Sequence, residues 1–163
     1  MNIILFSRPV RSGKTSELMQ WCSGRNSVSG ILMPDKDGQR KMMNIRTGET
    51  FDAQCLQPEQ TTKELIRVGS FHFYRAAFEK ANNILIESIA FAPKWIVIDE
   101  VGKLELEQKG FHFAVVQVLK QALSSNIILV VRESLLKEII SSYQLHNCHI
   151  VSELGKLPTR SEL

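Results

Sequence analysis

An apolar run at the start of the chain, Ile3-Ile4-Leu5-Phe6, passes through Ser7 to Ser12 directly into Gly13-Lys14-Thr15. That order predicts a buried strand, a tight loop and the first turn of a helix. A Gly-Lys-Thr in this setting is the gripping end of a phosphate loop. Consecutive backbone N–H groups wrap the phosphates, the lysine reaches the β and γ oxygens, and the hydroxyl holds Mg²⁺. The helix dipole adds positive potential at the same point. Arg11, Ser12, Gly13, Lys14, Thr15 and Ser16 are therefore the expected phosphate contacts, with Thr15 also on the metal. The complete pattern G-x-x-x-x-G-K-[ST] has a glycine where this chain has Arg8. Taken alone, Ser-Gly-Lys-Thr also serves as an ordinary helix start capped by Ser12 or Thr15.

A second element supports the phosphate reading. Lys94-Trp95-Ile96-Val97-Ile98-Asp99-Glu100 is an apolar strand that ends in two carboxylates. An acid at the end of such a strand orients Mg²⁺, here Asp99. The next acid, Glu100, is placed to act as general base on an attacking water. Either carboxylate alone would suit any acidic strand end; together with the phosphate loop they describe a nucleotide and Mg²⁺ site.

At 163 residues the chain is long enough for one domain with a sizeable core, and its 44% hydrophobic and 23% charged residues are those of a soluble globular protein. A net charge of +3 is too mild to argue for nucleic acid or an anionic membrane. No apolar run approaches the ~18 residues of a membrane span. Met1-Asn2 leads straight into the first strand, so the expectation is a protein without a signal peptide, in the cytoplasm. Cys22, Cys55 and Cys148 are odd in number and widely spaced, which fits reduced thiols. His146, Cys148 and His149 lack a second ligand pair at finger spacing and are expected to be structural.

Strands and helices alternate, so the fold class is α/β, with a mostly parallel sheet flanked by helices. Ser16 to Cys22 reads as the first helix and Val28 to Met33 as the second strand. Asp35-Lys36-Asp37-Gly38 is turn chemistry that returns Gln39 to Ile45 as a β-hairpin insertion. Thr47-Gly48 leads to a short strand around Glu49 to Cys55. Pro58 to Lys63 reads as loop and Gly69 to Phe73 as a short extended piece. Ala77, Ala81, Ile84, Leu85 and Ile89 mark one helix face; Phe111, Val115, Val118, Leu119 and Ala122 mark another. Ile127 to Val131 is a buried strand, Leu135 to Tyr143 a helix, and Cys148 to Val151 a last strand. Residues 1–154 are expected to form a single domain and 155–163 a polar tail. In open α/β sheets ligands bind beyond the C-terminal strand ends, where Ser7 to Thr15, Asp99-Glu100 and Arg132 all fall.

The run Val97-Ile98-Asp99-Glu100-Val101-Gly102-Lys103-Leu104-Glu105-Leu106 resembles the D-E-[hydrophobic]-G-K/P-[ML]-E-L segment of the small P-loop nucleoside-triphosphatases of the THEP type. Gly30-Ile31-Leu32 and Val68-Gly69 are similar to further segments of that family, as is the order of loop, hairpin, helix and acidic strand. The resemblance implies a RecA-like P-loop NTPase domain that hydrolyses ATP, GTP and other nucleoside triphosphates with Mg²⁺. It gives Gly13, Lys14 and Thr15 the phosphate and metal contacts, Asp99 the metal and Glu100 the water. The family loop, G-x-x-G-x-G-K-T, has glycines where this chain has Arg8 and Arg11. If position 11 requires φ > 0, arginine there is strained by about 1–3 kcal/mol. Its guanidinium could instead lie on a phosphate.

Arg132 ends the strand Ile127 to Val131. A RecA-like strand order aims it at the γ-phosphate, where it would stabilise transition-state charge in cis; a helix-start ion pair with Glu133 or a neighbour is the other reading. Lys103 and Glu105 are expected to order their loop by pairing with each other or with the phosphate loop. His72 and His112 read as structural, as do Trp21 and Trp95. The hairpin residues Lys36, Arg40, Lys41, Met42 and Met43 could meet a base or a protein partner, but a solvated face is the expectation. Two other functions stay open: a nucleotide-binding regulatory or assembly module with negligible turnover, and a small-molecule or nucleoside kinase. Ser12 to Leu18 faintly resembles the thymidine-kinase loop.

Overall fold

The β-branched and aliphatic runs separated by amphipathic stretches fold as alternating strands and helices in the computed structural model, which describes residues 1–157. In chain order the first half contains β1 (Ile3–Arg8), α1 (Lys14–Cys22), β2 (Val28–Leu32), β3 (Asp35–Lys36), β4 (Gln39–Asn44), β5 (Thr50–Asp52) and β6 (Gln54–Cys55). The second half contains β7 (Leu65–Val68), β8 (Phe71–Tyr74), α2 (Arg75–Ala90), β9 (Trp95–Val101), α3 (Lys103–Leu106), α4 (His112–Gln121), β10 (Asn126–Arg132), α5 (Leu136–Ser142) and β11 (His149–Val151). The main sheet runs β11-β1-β10-β9-β2-β4-β3, with β5 on β4. Its five strands from β11 to β2 are parallel, and the hairpin strands join antiparallel. This is the α/β class expected, with β10 lying between the loop strand and the acidic strand.

Strand alternation divides the core between the two faces. Leu5, Ile96, Ile98, Ile127, Leu129 and Val131 face one cluster with α2 and α4 residues such as Leu85, Val115 and Val118. Ile4, Phe6, Val97, Ile128 and Val130 face the other, against Leu18 and Cys22 of α1 and Leu154. Both faces are therefore covered, which is why these strands are continuously apolar rather than alternating with polar residues. Where β2 meets β9, Gly30 sits at φ 128°, and a Cβ there would lie 2.0 Å from the Val97 carbonyl oxygen. Only glycine allows the two backbones to approach this closely.

Several elements differ from the sequence reading. The first helix begins at Lys14, not Ser16. The span 58–63, read as loop, opens with a 3₁₀ turn at Pro58–Gln60. Gly69 is not part of an extended segment: it stands at φ 60° in the turn between β7 and β8. Those strands and β6 form a separate three-stranded sheet in the order β6-β8-β7. The hairpin turn at Asp37 and Gly38 has positive φ at both residues, which matches the right-handed twist of the strands it joins. Leu154–Lys156 form a 3₁₀ turn, and the Pro158–Leu163 part of the expected polar tail lies outside the described residues.

Candidate phosphate and metal site at the strand ends

The loop after β1 turns back through left-handed residues at Arg11, φ 60°, and Gly13, φ 78°. Position 11 thus has the positive φ that makes arginine costly there. Arg11, Ser12, Gly13, Lys14, Thr15 and Ser16 line one cleft of about 310 Å³ together with Arg40, Glu100 and Arg132. The Lys14 Nζ donates to the carbonyls of Pro9 at 2.8 Å and Arg8 at 3.1 Å, closing the loop on itself. Partial burial lowers the Lys14 pKa, and the negative charge of Glu100 opposes that shift. Arg8 turns away from the loop. It pairs with Glu17 at 2.7 Å, and the other Glu17 oxygen accepts the Leu154 N–H at 2.7 Å.

Beneath the cleft lies Asp99, with no exposed surface. Its Oδ2 accepts the Thr15 hydroxyl at 2.9 Å and the Met33 N–H at 3.0 Å. Its Oδ1 is buried and has no hydrogen-bond partner among the described residues. Burial pushes the Asp99 carboxyl up to about 6, the two hydrogen bonds acting the other way and the neighbouring Glu100 charge adding to the rise. A hard cation needs oxygen donors, and a buried carboxylate oxygen with no other partner beside a hydroxyl supplies them. Asp99 and Thr15 therefore fit Mg²⁺.

Consecutive strand residues point to opposite faces, so Asp99 and Glu100 in a regular strand would diverge. The structure avoids this with a bulge. On β9, Ile98 pairs with Leu129 and Val101 with Val131, so two residues of β9 stand against Val130 alone. Glu100 takes the left-handed conformation, φ 66°, and Val101 returns to the same core cluster as Ile98. The extra residue re-aims a side chain at the sheet end, and Glu100 lines the loop cleft. Its Oε1 lies 2.9 Å from Arg40 Nη1 and its Oε2 lies 3.6 Å from Arg132 Nη2.

Arg132 thus faces Glu100 rather than pairing with Glu133, and the structure brings it together with the loop and the acidic strand. Arg40 is the residue that sequence reasoning missed. It was expected on a solvated hairpin face with Lys36 and Lys41. Lys36 is exposed and Lys41 pairs with Asp52 at the surface, but Arg40 reaches across β2 to the end of β9. A single arginine in a basic hairpin offers no local signal of that reach; the strand order creates it.

Later in the signature segment, Glu105 serves the backbone. Glu105 is 3% exposed and accepts the Gly102 N–H at 2.7 Å and the Phe111 N–H at 2.8 Å. It caps α3 and fastens the chain entering α4, instead of pairing with Lys103 or the phosphate loop. Burial raises its pKa against those two hydrogen bonds. The His112 ring meets the Tyr143 hydroxyl at 2.8 Å, and Trp21 packs edge-on to Trp95 with centroids 5.4 Å apart.

The THEP1 protein of the hyperthermophile Aquifex aeolicus has a similar structure, with a TM-score of 0.67 at 21% identity over 94% of this chain and 90% of that one. A human cancer-related nucleoside triphosphatase is similar at TM-score 0.66 and 20% identity, over 99% of this chain and 92% of that one. At such identity the likeness shows a shared fold, the P-loop NTPase fold expected from the sequence. No curated protein matches the chain. The NTPase family model matches residues 6–156, which hold the phosphate loop, the acidic strand and the arginine strand alike, and the chain belongs to that family.

Proposed function

We propose that this protein is a Mg²⁺-dependent nucleoside-triphosphatase that hydrolyses ATP, GTP and other nucleoside triphosphates to diphosphate and phosphate. The observation that carries the reading is the 2.9 Å bond from the Thr15 hydroxyl to Asp99, which ties the phosphate loop to the acidic strand end. Lys14 and the loop amides from Arg11 to Ser16 bind the phosphates. Thr15 and Asp99 would hold Mg²⁺, whose charge offsets that of the β and γ oxygens. Glu100 accepts the proton of the attacking water, and Arg132 stabilises charge on the transferring phosphoryl group. The likeness to a human nucleoside triphosphatase supports the same reaction class. The free thiols of Cys22, Cys55 and Cys148 suit the reducing cytoplasm.

Phosphate release from ATP and GTP with Mg²⁺, compared in wild type, Lys14→Ala and Glu100→Gln, tests this. Release should need both residues, while Glu100→Gln still binds the nucleotide. Undiminished release in Glu100→Gln would sink the base assignment. A second reading, a nucleotide-binding module with negligible turnover, is favoured by the strained Arg11 and by the arginines that hold Glu100. Nucleotide binding without phosphate release would establish it.

A further inference from the structure

We propose that Arg40 is the γ-phosphate-responsive residue of this site: it clamps Glu100 until a triphosphate arrives, then passes to the γ-phosphate, so that the site tells triphosphate from diphosphate. This rests on the nucleotide-site reading above.

The root of Arg40 is fixed while its head is free to exchange. Its backbone N–H donates to the side-chain oxygen of buried Gln54 at 3.1 Å. Gln39 donates to the Gln54 carbonyl at 2.8 Å, so the hairpin is fastened to the small sheet on both sides of that glutamine. The guanidinium then crosses the cleft to Glu100 Oε1 at 2.9 Å, inside hydrogen-bond range, whereas Arg132 stands at 3.6 Å from the other oxygen. Arg40 is thus the tight partner and Arg132 the loose one. The Arg40–Glu100 pair is about a quarter exposed on each side, so exchange needs no core to open.

A γ-phosphate near neutral pH presents up to two negative charges and three acceptor oxygens to the same guanidinium, against one charge on the carboxylate, and arginine binds phosphate through its planar fork. A diphosphate places no phosphate at the γ position and leaves the clamp closed. The exchange also frees Glu100 Oε1 to take a proton only when there is a phosphoryl group to transfer.

The test is binding of a non-hydrolysable triphosphate analogue (the β,γ-imido form of ATP) and of ADP to the full chain with Mg²⁺, by calorimetry. Arg40→Gln should weaken the triphosphate about tenfold or more while moving ADP by less than about twofold. Glu100→Gln, which removes the competing charge, should tighten the triphosphate alone, and Arg40→Gln in the same chain should abolish that gain. Arg40→Lys, with the charge but not the fork, should fall between; it decides the matter if Arg40→Gln does not fold. Equal weakening of both nucleotides, or no change in either, would overturn the proposal. Wild type that binds both nucleotides but releases no phosphate would refute the triphosphatase and leave the affinity ratio to judge Arg40. Wild type that binds neither would refute both.

Discussion

Asp99 should make the metal-free protein less stable than it could be, and the size of that cost follows from its burial. The carboxyl goes from an ordinary 3.8 to about 6 on folding, chiefly through loss of water. A rise of about two pH units corresponds to about 3 kcal/mol of differential stability. The folded protein binds the proton more tightly, so the stabilising contribution is full below pH 4 and is lost as pH rises through 6. Asp99→Asn removes this dependence. Its amide still accepts from Thr15 and Met33, but a nitrogen now stands at the partnerless Oδ1 position, at a cost of about 1–3 kcal/mol at every pH. At pH 7.5 without Mg²⁺ the variant should therefore be about 1 kcal/mol more stable than wild type. At pH 4 it should be less stable, the difference between the two having moved by about 2.5 kcal/mol. The Trp21–Trp95 pair reports urea unfolding by fluorescence at both pH values. Because the amide cost is common to both conditions, the pH-dependent change isolates the buried charge. A gap between the two proteins that does not move between pH 4 and 7.5 would refute the argument.

Arg11→Gly should be about 1 kcal/mol more stable than Arg11→Ala, because only glycine relieves φ 60° without strain. For a chain of this length that is about 3 °C in Tm, measurable by scanning calorimetry. Glu105→Ala leaves two N–H groups without their acceptor and should cost about 3 kcal/mol or more in unfolding free energy measured by urea titration, whereas Glu105→Gln keeps one oxygen and should cost roughly half. Gly30→Ala places a methyl 2.0 Å from the Val97 carbonyl and should separate β2 from β9, giving loss of soluble folded protein on circular dichroism.

The two motifs were legible because each is local. A strand that runs into Gly13-Lys14-Thr15 and a strand that runs into Asp99-Glu100 carry their chemistry at the place where backbone geometry changes, and the parallel topology brings both ends to one edge. The placement of Arg132 at that edge was legible for the same reason, as the polar end of an apolar strand. Arg40 was not. Its partner lies on β9, beyond the intervening β2, and its position depends on the antiparallel register of β4 against β2. The small sheet was half hidden: Leu65–Val68 is too short to show alternation, and Gly69 belongs to a turn although the aromatic residues after it suggest a strand. Glu105 was assigned a side-chain partner, whereas its acceptors are satisfied by backbone N–H groups, which no residue pattern displays.

The bulge explains how two adjacent carboxylates come to sit in different environments at one edge of the sheet. In a straight β9, Asp99 would face the α1 side with Val97, and Glu100 would face the α2 side with Ile98, one of them out of reach of the loop. One extra residue and a left-handed Glu100 keep Val101 in its core place and leave both acids at the loop. Their environments then separate them. Asp99 is sealed under Thr15 and Met33, where its charge is costly without a cation, while Glu100 stays part-exposed between two guanidinium groups. A left-handed glutamate costs about 1–2 kcal/mol, and that strain persists because Val101, Gly102 and Glu105 immediately anchor the chain that follows. The residues between the acids and Leu106 therefore hold the site's geometry, although Asp99 and Glu100 are the ones that would touch metal, water and phosphate.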